Sequence, residues 1–307
     1  FECKPGITKA VDYGSYGFKS QVYGNPTIEL EKYIDRRKLR FLADGSAWAY
    51  ISAKQAIADA GLTESEVSNE RTGLIVGTGG PSTRAIVKAA DQTRERGAKH
   101  VGPFVVPKAM CSMASATLST YLGIKGVNYS ISSACATSNN CIGSSYELIK
   151  WGSQDVMIAG GGEELDWTLS VTFDAMGAMS SNFNDEPHRA SRAYDSNRDG
   201  FVIAGGAGIL ILEEFEHAKA RGAKIYAEIV GMVGAFYISN RIPVTLPIII
   251  AMTALCRLIV LHSKEADPWM LIAEAGAIAV LAIASYIMSM KDKLSLEKKA
   301  LRKDGQV

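Results

Sequence analysis

A chain of 307 residues with 33 Lys and Arg against 32 Asp and Glu, 47% apolar residues and only 9 Pro is not disordered, collagenous or a small disulfide scaffold. Its length predicts about two domains, and a formal charge of +1 gives no electrostatic pull on a polyanion, so nucleic acid is not expected as a partner. Five cysteines (Cys3, Cys111, Cys135, Cys141 and Cys256) are odd in number and lack the short repeated spacings of a zinc site. They favour a reducing compartment, with no disulfide framework and no metal. The chain opens on Phe1 with no basic-then-apolar leader, and reads as beginning inside a longer sequence.

From residue 1 to 236 short β-branched runs alternate with amphipathic stretches, the pattern of parallel strands joined by crossover helices, so this part is expected to be α/β. In chain order the spacing predicts a helix over 46–60, a strand over 73–77, a helix over 82–96, a strand over 127–133 and a helix over 138–150. Strands follow over 156–159, over 201–204 with 209–212, and over 225–230. Several strands are apolar on consecutive positions, as strands covered on both faces are. Ser46, Ser82 and Ser138 are the expected N-caps.

The composition changes near Tyr237, which sets the expected domains at 1–236 and 237–307. Residues 242–261 hold 15 apolar residues in 20, and 269–290 hold 18 in 22. Each is near the ~20 residues that cross a bilayer, and together they predict a transmembrane helical hairpin over 242–290. Arg257 costs about 3 kcal/mol at mid-membrane, but eleven Leu, Ile and Val in that segment return about 0.3 to 0.6 kcal/mol each, and Arg257 lies near one end. The tail carries Lys291, Lys293, Lys298, Lys299, Arg302 and Lys303 while the connection 262–268 carries only Lys264, which places both flanks in the cytoplasm. Two buried helices of a soluble core have the same apolar length, so length alone leaves that alternative open.

The constellation with chemical content is V-N-Y-S-I-S-S-A-C-A-T-S over 127–138. A strand ends in small residues, a cysteine follows, and helical spacing begins. Cys135 is thereby placed at a strand-to-helix turn, where unpaired N–H groups and the helix dipole favour a thiolate by about 0.3 to 2 kcal/mol. Ser133, Ala134 and Ala136 leave room for a thioester to approach the backbone, and the Cys135 N–H can donate to a developing oxyanion. The chemistry suggested is acyl transfer. Taken alone, such an apolar-flanked cysteine is more often a buried small hydrophobe.

Y-I-D-R-R-K-L-R-F (33–41), Q-A-I-A-D-A-G-L (55–62), the cysteine motif, A-G-G-G-E-E-L (159–165), F-D-A-M-G-A (173–178) and R-D-G-F-V-I-A-G-G (198–206) occur in this order. In these motifs the chain, from about residue 6 to 234, resembles the beta-ketoacyl-acyl-carrier-protein synthases of the thiolase fold, type I. The resemblance implies an incomplete thiolase-like fold, its amino-terminal half, ahead of the hairpin. It further implies that Cys135 accepts an acyl chain from acyl carrier protein, and that malonyl-carrier protein then decarboxylates and attacks that thioester to give a 3-oxoacyl product. Met110 and Phe173 match positions lining the acyl pocket, for which ordinary core packing is the alternative. Arg36, Arg37 and Arg40 match a basic patch docking the acidic carrier protein, with Arg96 and Lys99 as additions, and a solvated helix face is the alternative. A cytoplasmic homodimer without cofactor is implied.

The family's His-Gly-Thr motif, its Gly-His pair after a lysine and its Gly-Phe-Gly-Gly loop do not occur in these 307 residues. His100, His188, His217 and His262 lack those contexts and are expected on the surface or in loops. One lost oxyanion donor costs about 10² to 10³ in rate, so condensation by this chain alone is expected to be negligible while Cys135 still acylates. An exposed strand edge and apolar face are expected as well. Residues 240–307 resemble, more weakly, the last two helices of the phosphate-starvation-inducible inner-membrane proteins, through A-L-C-R-L-I-V (254–260) and the apolar run after Trp269. The rival reading is therefore a non-catalytic membrane protein, or a fusion carrying a synthase relic. G-T-G-G-P-S (77–82) and Gly160 to Gly162 read as tight turns rather than phosphate loops. Glu163 and Glu164, adjacent in a strand, point to opposite faces and are read as structural hydrogen-bonding groups.

Overall fold

In the computed structural model residues 5–223 are described. The predicted strand over 225–230, the 236/237 boundary, the hairpin over 242–290, His262, Cys3 and Cys256 lie outside them.

Two short strands, β1 (Thr8–Lys9) and β2 (Val22–Tyr23), pair antiparallel. Beside them Tyr13 and Phe18 stack with ring centroids 4.4 Å apart, in a small cluster with Ala10 and Met179. Helix α1 (Arg36–Leu39) starts where the Asp35 carboxylate accepts the Arg37 N–H at 2.8 Å. It leads into α2 (Asp44–Ala60) and α3 (Glu64–Val67), the latter opened by a Thr63–Glu66 capping box.

The elements that build the site follow: β3 (Thr72–Gly77), α4 (Thr83–Arg96), α5 (Val105–Ala109), α6 (Met113–Leu122), β4 (Asn128–Tyr129), α7 (Thr137–Lys150) and β5 (Val156–Glu163). After them come α8 (Trp167–Ala175), β6 (Gly206–Glu213) and α9 (Phe215–Ala220). One sheet runs β4-β3-β5-β6. Side chains alternate across it with the period of two that a strand imposes. Leu74, Val76, Val156 and Ile158 face a core with Ala47, Ala49, Tyr50, Ala114 and Leu118 from α2 and α6. Ile75, Met157 and Ala159 face the other side, with Cys141 of α7. Two covered faces make the α/β expectation correct for this part, and each fully buried Leu, Ile or Val stabilises it by about 1.5–3 kcal/mol.

Several expectations need correction. β3 pairs parallel with β4 and β5, but β5 pairs antiparallel with β6, so the sheet is mixed. Apolar periodicity reports that a strand is buried and is blind to its direction. The strand predicted over 127–133 shrinks to Asn128–Tyr129, because Ser130 turns its hydroxyl onto the Val76 carbonyl at 2.7 Å and the chain bends away. The strand predicted over 156–159 instead runs on to Glu163, its three glycines remaining in register with β6. Phe201 and Ala204 make only isolated bridges, to Met179 and Gly24, and β6 starts at Gly206. Of the three expected caps only Ser82 caps, its Oγ accepting the Ala85 N–H at 3.2 Å. Ser46 is buried in the first turn of α2 behind Ala43, and Ser138 is the second residue of α7 behind Ala136. Among the described residues no helix is long and apolar enough to cross a membrane.

Candidate active site

The chain leaves β4 at Tyr129 and enters α7 at Thr137, and the seven residues between form a tight hydrogen-bonded turn. The Ser133 N–H donates to Thr137 Oγ1 at 2.9 Å, and that hydroxyl donates to the Ala134 carbonyl at 2.7 Å. The Ala136 and Thr137 N–H groups donate to the Ser133 and Ala134 carbonyls, both at 3.1 Å, and Asn140 Nδ2 donates to Ser133 Oγ. Closing so tight a turn forces Ala134 to φ +50, a left-handed conformation that costs an L-residue about 1–2 kcal/mol. Strain of this kind persists where the surroundings over-determine it, and here it throws the next side chain, Cys135, outward. Cys135 is exposed, one residue before the N-cap of α7. Alanine does not announce a left-handed residue, so the sequence located the turn and missed its conformation.

The other described thiols differ in setting. Cys141, one turn into α7, is fully buried against Ile75 and Met157, and burial pushes its thiol up. Cys111 is exposed between α5 and α6.

Two carboxylates close the end of β5, and they diverge. Glu163 turns back to the loop after β3, where its Oε1 accepts the Gly79 N–H at 2.6 Å and its Oε2 lies 3.2 Å from Thr78 Oγ1. Burial raises its carboxyl above the ordinary range, against the lowering by those two hydrogen bonds. Glu164 accepts Ser82 Oγ at 2.7 Å and Arg84 at 2.9 Å, and Arg84 also meets Asp44 at 2.6 Å. Glu164 thus secures the start of α4. The G-T-G-G-P-S segment forms the turn from β3 into that helix.

The remaining predicted residues occupy other elements. Met110 is half-buried at the C-terminal end of α5. Phe173, on α8, is half-buried against the cluster of Tyr13, Phe18 and Met179, its ring edge-on to Phe201 at 5.4 Å. Arg36, Arg37 and Arg40 are all exposed at α1. Positions i and i+4 share a helix face, which places Arg36 and Arg40 together and turns Lys38 and Leu39 inward. Lys38 Nζ lies 5.1 Å from the Tyr121 ring centroid, and Tyr121 Oη donates to the Lys38 carbonyl at 2.9 Å. Arg96 ends α4 and Lys99 lies in the turn after it, both exposed. His100 and His188 are exposed as expected. His217 departs from the expectation: it lies on α9, half-buried, with Nδ1 2.5 Å from Oε1 of Glu213, the last residue of β6. Among the described residues no group of three or more His, Cys, Asp or Glu could hold a metal ion.

The geometry places an exposed thiol on a strained strand-to-helix turn over a mixed sheet. Residues 28–218 match the model of the beta-ketoacyl synthase, N-terminal domain, family. The chain belongs to the beta-ketoacyl synthase family. It is 55% identical over 232 residues to 3-oxoacyl-[acyl-carrier-protein] synthase 1 of Escherichia coli, covering 75% of this chain and 57% of the relative. It is 53% identical over 229 residues to the protein of the same name from Haemophilus influenzae, covering 74% and 56%. The chain therefore spans little more than half the length of these relatives. Among solved structures it resembles a beta-ketoacyl synthase from Burkholderia phymatum, with TM-score 0.66, 33% identity and coverage of 72% and 55%. It also resembles a type II PKS acyl-carrier protein in complex with its ketosynthase bound to the hexaketide, with TM-score 0.62, 30% identity and coverage of 73% and 54%. Residues 223–293 match a different model, the phosphate-starvation-inducible E family.

Proposed function

We propose that this chain is an acyltransferase of fatty-acid biosynthesis that loads an acyl group onto Cys135. The carrying observation is the exposed thiol on the strained turn before α7. In the loading step Cys135 Sγ, as thiolate, attacks the carbonyl carbon of an acyl thioester on acyl carrier protein. Cys135 has first given its proton to solvent; the tetrahedral oxyanion then collapses, the carrier's sulfur leaves as a thiolate and takes a proton from solvent, and a thioester on Cys135 remains. In this reading the Cys135 amide donates to the tetrahedral oxyanion. The curated relatives carry the name 3-oxoacyl-[acyl-carrier-protein] synthase 1, and condensation with malonyl-carrier protein is the second step that the family resemblance implies. The motifs that family resemblance associates with that second step do not occur in these 307 residues, so loading is the step assigned to the residues present.

Met110 and Phe173 line the acyl pocket in this reading. Arg36, Arg37 and Arg40, with Arg96 and Lys99, dock the acidic carrier protein, a role supported by their exposure and by the carrier complex among the structural relatives. The synthase-like part works in the cytoplasm as a homodimer and needs no cofactor. For residues 242–290 we propose the transmembrane hairpin, anchoring the chain in the inner membrane. The second family match and the apolar lengths support it.

The test is thiol mapping by mass spectrometry after treatment with a cerulenin-like epoxide. Cys135 is expected to react well ahead of Cys111, Cys141 to stay unlabelled, and Cys135→Ala to abolish the fast phase. Equal labelling of Cys135 and Cys111 overturns the assignment. Slow Cys135 labelling combined with retention of the chain in carbonate-washed membranes would instead favour a non-catalytic membrane protein carrying a synthase relic.

A further inference from the structure

We propose that Glu163 is a positioning residue for the nucleophile turn, acting through the Gly79 peptide. The inference rests on Cys135 being the nucleophile, and it adds a residue 28 positions away in sequence, at the end of β5.

The Gly79 peptide is held on three sides. Its N–H donates to Glu163 Oε1 at 2.6 Å, and its carbonyl accepts Ser132 Oγ at 3.3 Å. A Cβ built on Gly79 would lie 3.1 Å from Glu163 Oε1 and 3.2 Å from the Ala134 carbonyl oxygen, so Gly79 is wedged between the carboxyl and the strained residue before Cys135. Ser132 and Ala134 are both in the turn that presents the thiol. Moving the Gly79 peptide therefore moves the two residues that aim Cys135.

Hydrogen-bond accounting describes the state in which Glu163 does this. Thr78 Oγ1 lies 3.0 Å from the Gly80 carbonyl and 3.2 Å from Glu163 Oε2. A hydroxyl has one proton to donate, so it serves both oxygens fully only when Glu163 is itself protonated and donates to Thr78. The burial that raises the Glu163 carboxyl works in the same direction. Glutamine has the same donor and acceptor pattern as the protonated acid, with an amide N–H toward Thr78 and an oxygen toward Gly79. Alanine has neither.

The experiment measures, on the full chain, the iodoacetamide alkylation rate of Cys135 relative to Cys111 in the same molecule. Protection of buried Cys141 reports that the fold is intact. Glu163→Ala is expected to lower the Cys135/Cys111 ratio by about tenfold or more, because thiol reactivity follows access and the released turn no longer holds Cys135 outward. Glu163→Gln is expected to keep the wild-type ratio within about twofold, as is Glu164→Ala, which weakens the start of α4 without touching Gly79. If Glu163→Ala exposes Cys141, Glu163→Asp takes its place with the same expected fall, because its shorter reach loses Gly79. A ratio unchanged by these variants, or Glu163→Gln falling together with Glu163→Ala, overturns the proposal. A wild-type ratio near unity refutes the nucleophile assignment instead, so the two failures are distinguishable.

Discussion

Gly77 is the last residue of β3, and Gly77→Ala tests how tightly the nucleophile turn is held against the sheet. A Cβ there would overlap the Ile131 carbonyl oxygen, lie 2.6 Å from the Thr137 methyl and 3.1 Å from Cys141 Sγ. Carbon atoms in contact prefer about 3.5–4.0 Å, so α7 and the segment before it must retreat by about 1 Å. Overpacking of this kind costs about 1–3 kcal/mol. At about 2–4 °C per kcal/mol for a domain of this size, the melting temperature should fall by about 2 to 12 °C. Ile131 and Thr137 bracket Cys135, so the same displacement should alter the exposure of its thiol and lower its alkylation rate. Gly80→Ala is the control. Three residues on, a Cβ meets open space, and stability should stay within about 0.5 kcal/mol. Adding Cys141→Ala to Gly77→Ala should not restore either property, because the tightest obstacle is a main-chain carbonyl that side-chain trimming leaves in place. Calorimetry and thiol kinetics read both effects. If Gly77→Ala matches Gly80→Ala in both, the close approach does not hold the turn and the reasoning fails.

Ser82→Ala removes the N-cap of α4 and also a donor to buried Glu164. The expected loss in denaturant unfolding is about 1–2 kcal/mol, and a loss below about 0.5 kcal/mol would show the cap to be idle. Two carboxylates give pH dependences of opposite sign. Arg71 hydrogen bonds hold Asp155 below the ordinary aspartate range, so its contribution is present above that range and lost as pH falls through its folded value. Burial holds Glu163 above the ordinary glutamate range, so its contribution is present below that range and lost as pH rises through its folded value. In unfolding midpoints measured across pH, Arg71→Ala should flatten the acid limb and Glu163→Gln should flatten the limb above it. Parallel curves for wild type and variant would contradict the assignment of either group.

The helices over 46–60, 82–96 and 138–150 and the strand at 73–77 were legible because each has enough apolar positions at one period to reveal its buried face. The structure shifts their ends by a residue or two. The segment over 127–133 misled for the opposite reason: its Val and Ile favour a strand, but Ser130 and Ser132 donate their hydroxyls to the Val76 and Gly79 carbonyls and the ladder ends after two residues. Cys135 stood out because small residues separate an apolar run from a helical one. The lining and docking residues entered through resemblance alone, and no local pattern distinguishes Met110 or Arg36 from packing or solvated residues.

By itself, the sequence determined the α/β class of the first part, the abrupt change of composition near Tyr237 and the place of the thiol where extended chain turns into helix. Those features follow from periodicity and residue size over a few neighbouring positions. The tertiary structure decided the antiparallel course of β6, the left-handed Ala134 and the convergence of Glu163, Gly79 and Ser132 behind Cys135. The course of β6 and the convergence behind Cys135 depend on groups far apart in the chain that meet only after the strands have come together, while Ala134 is set by the hydrogen bonds that close its own turn.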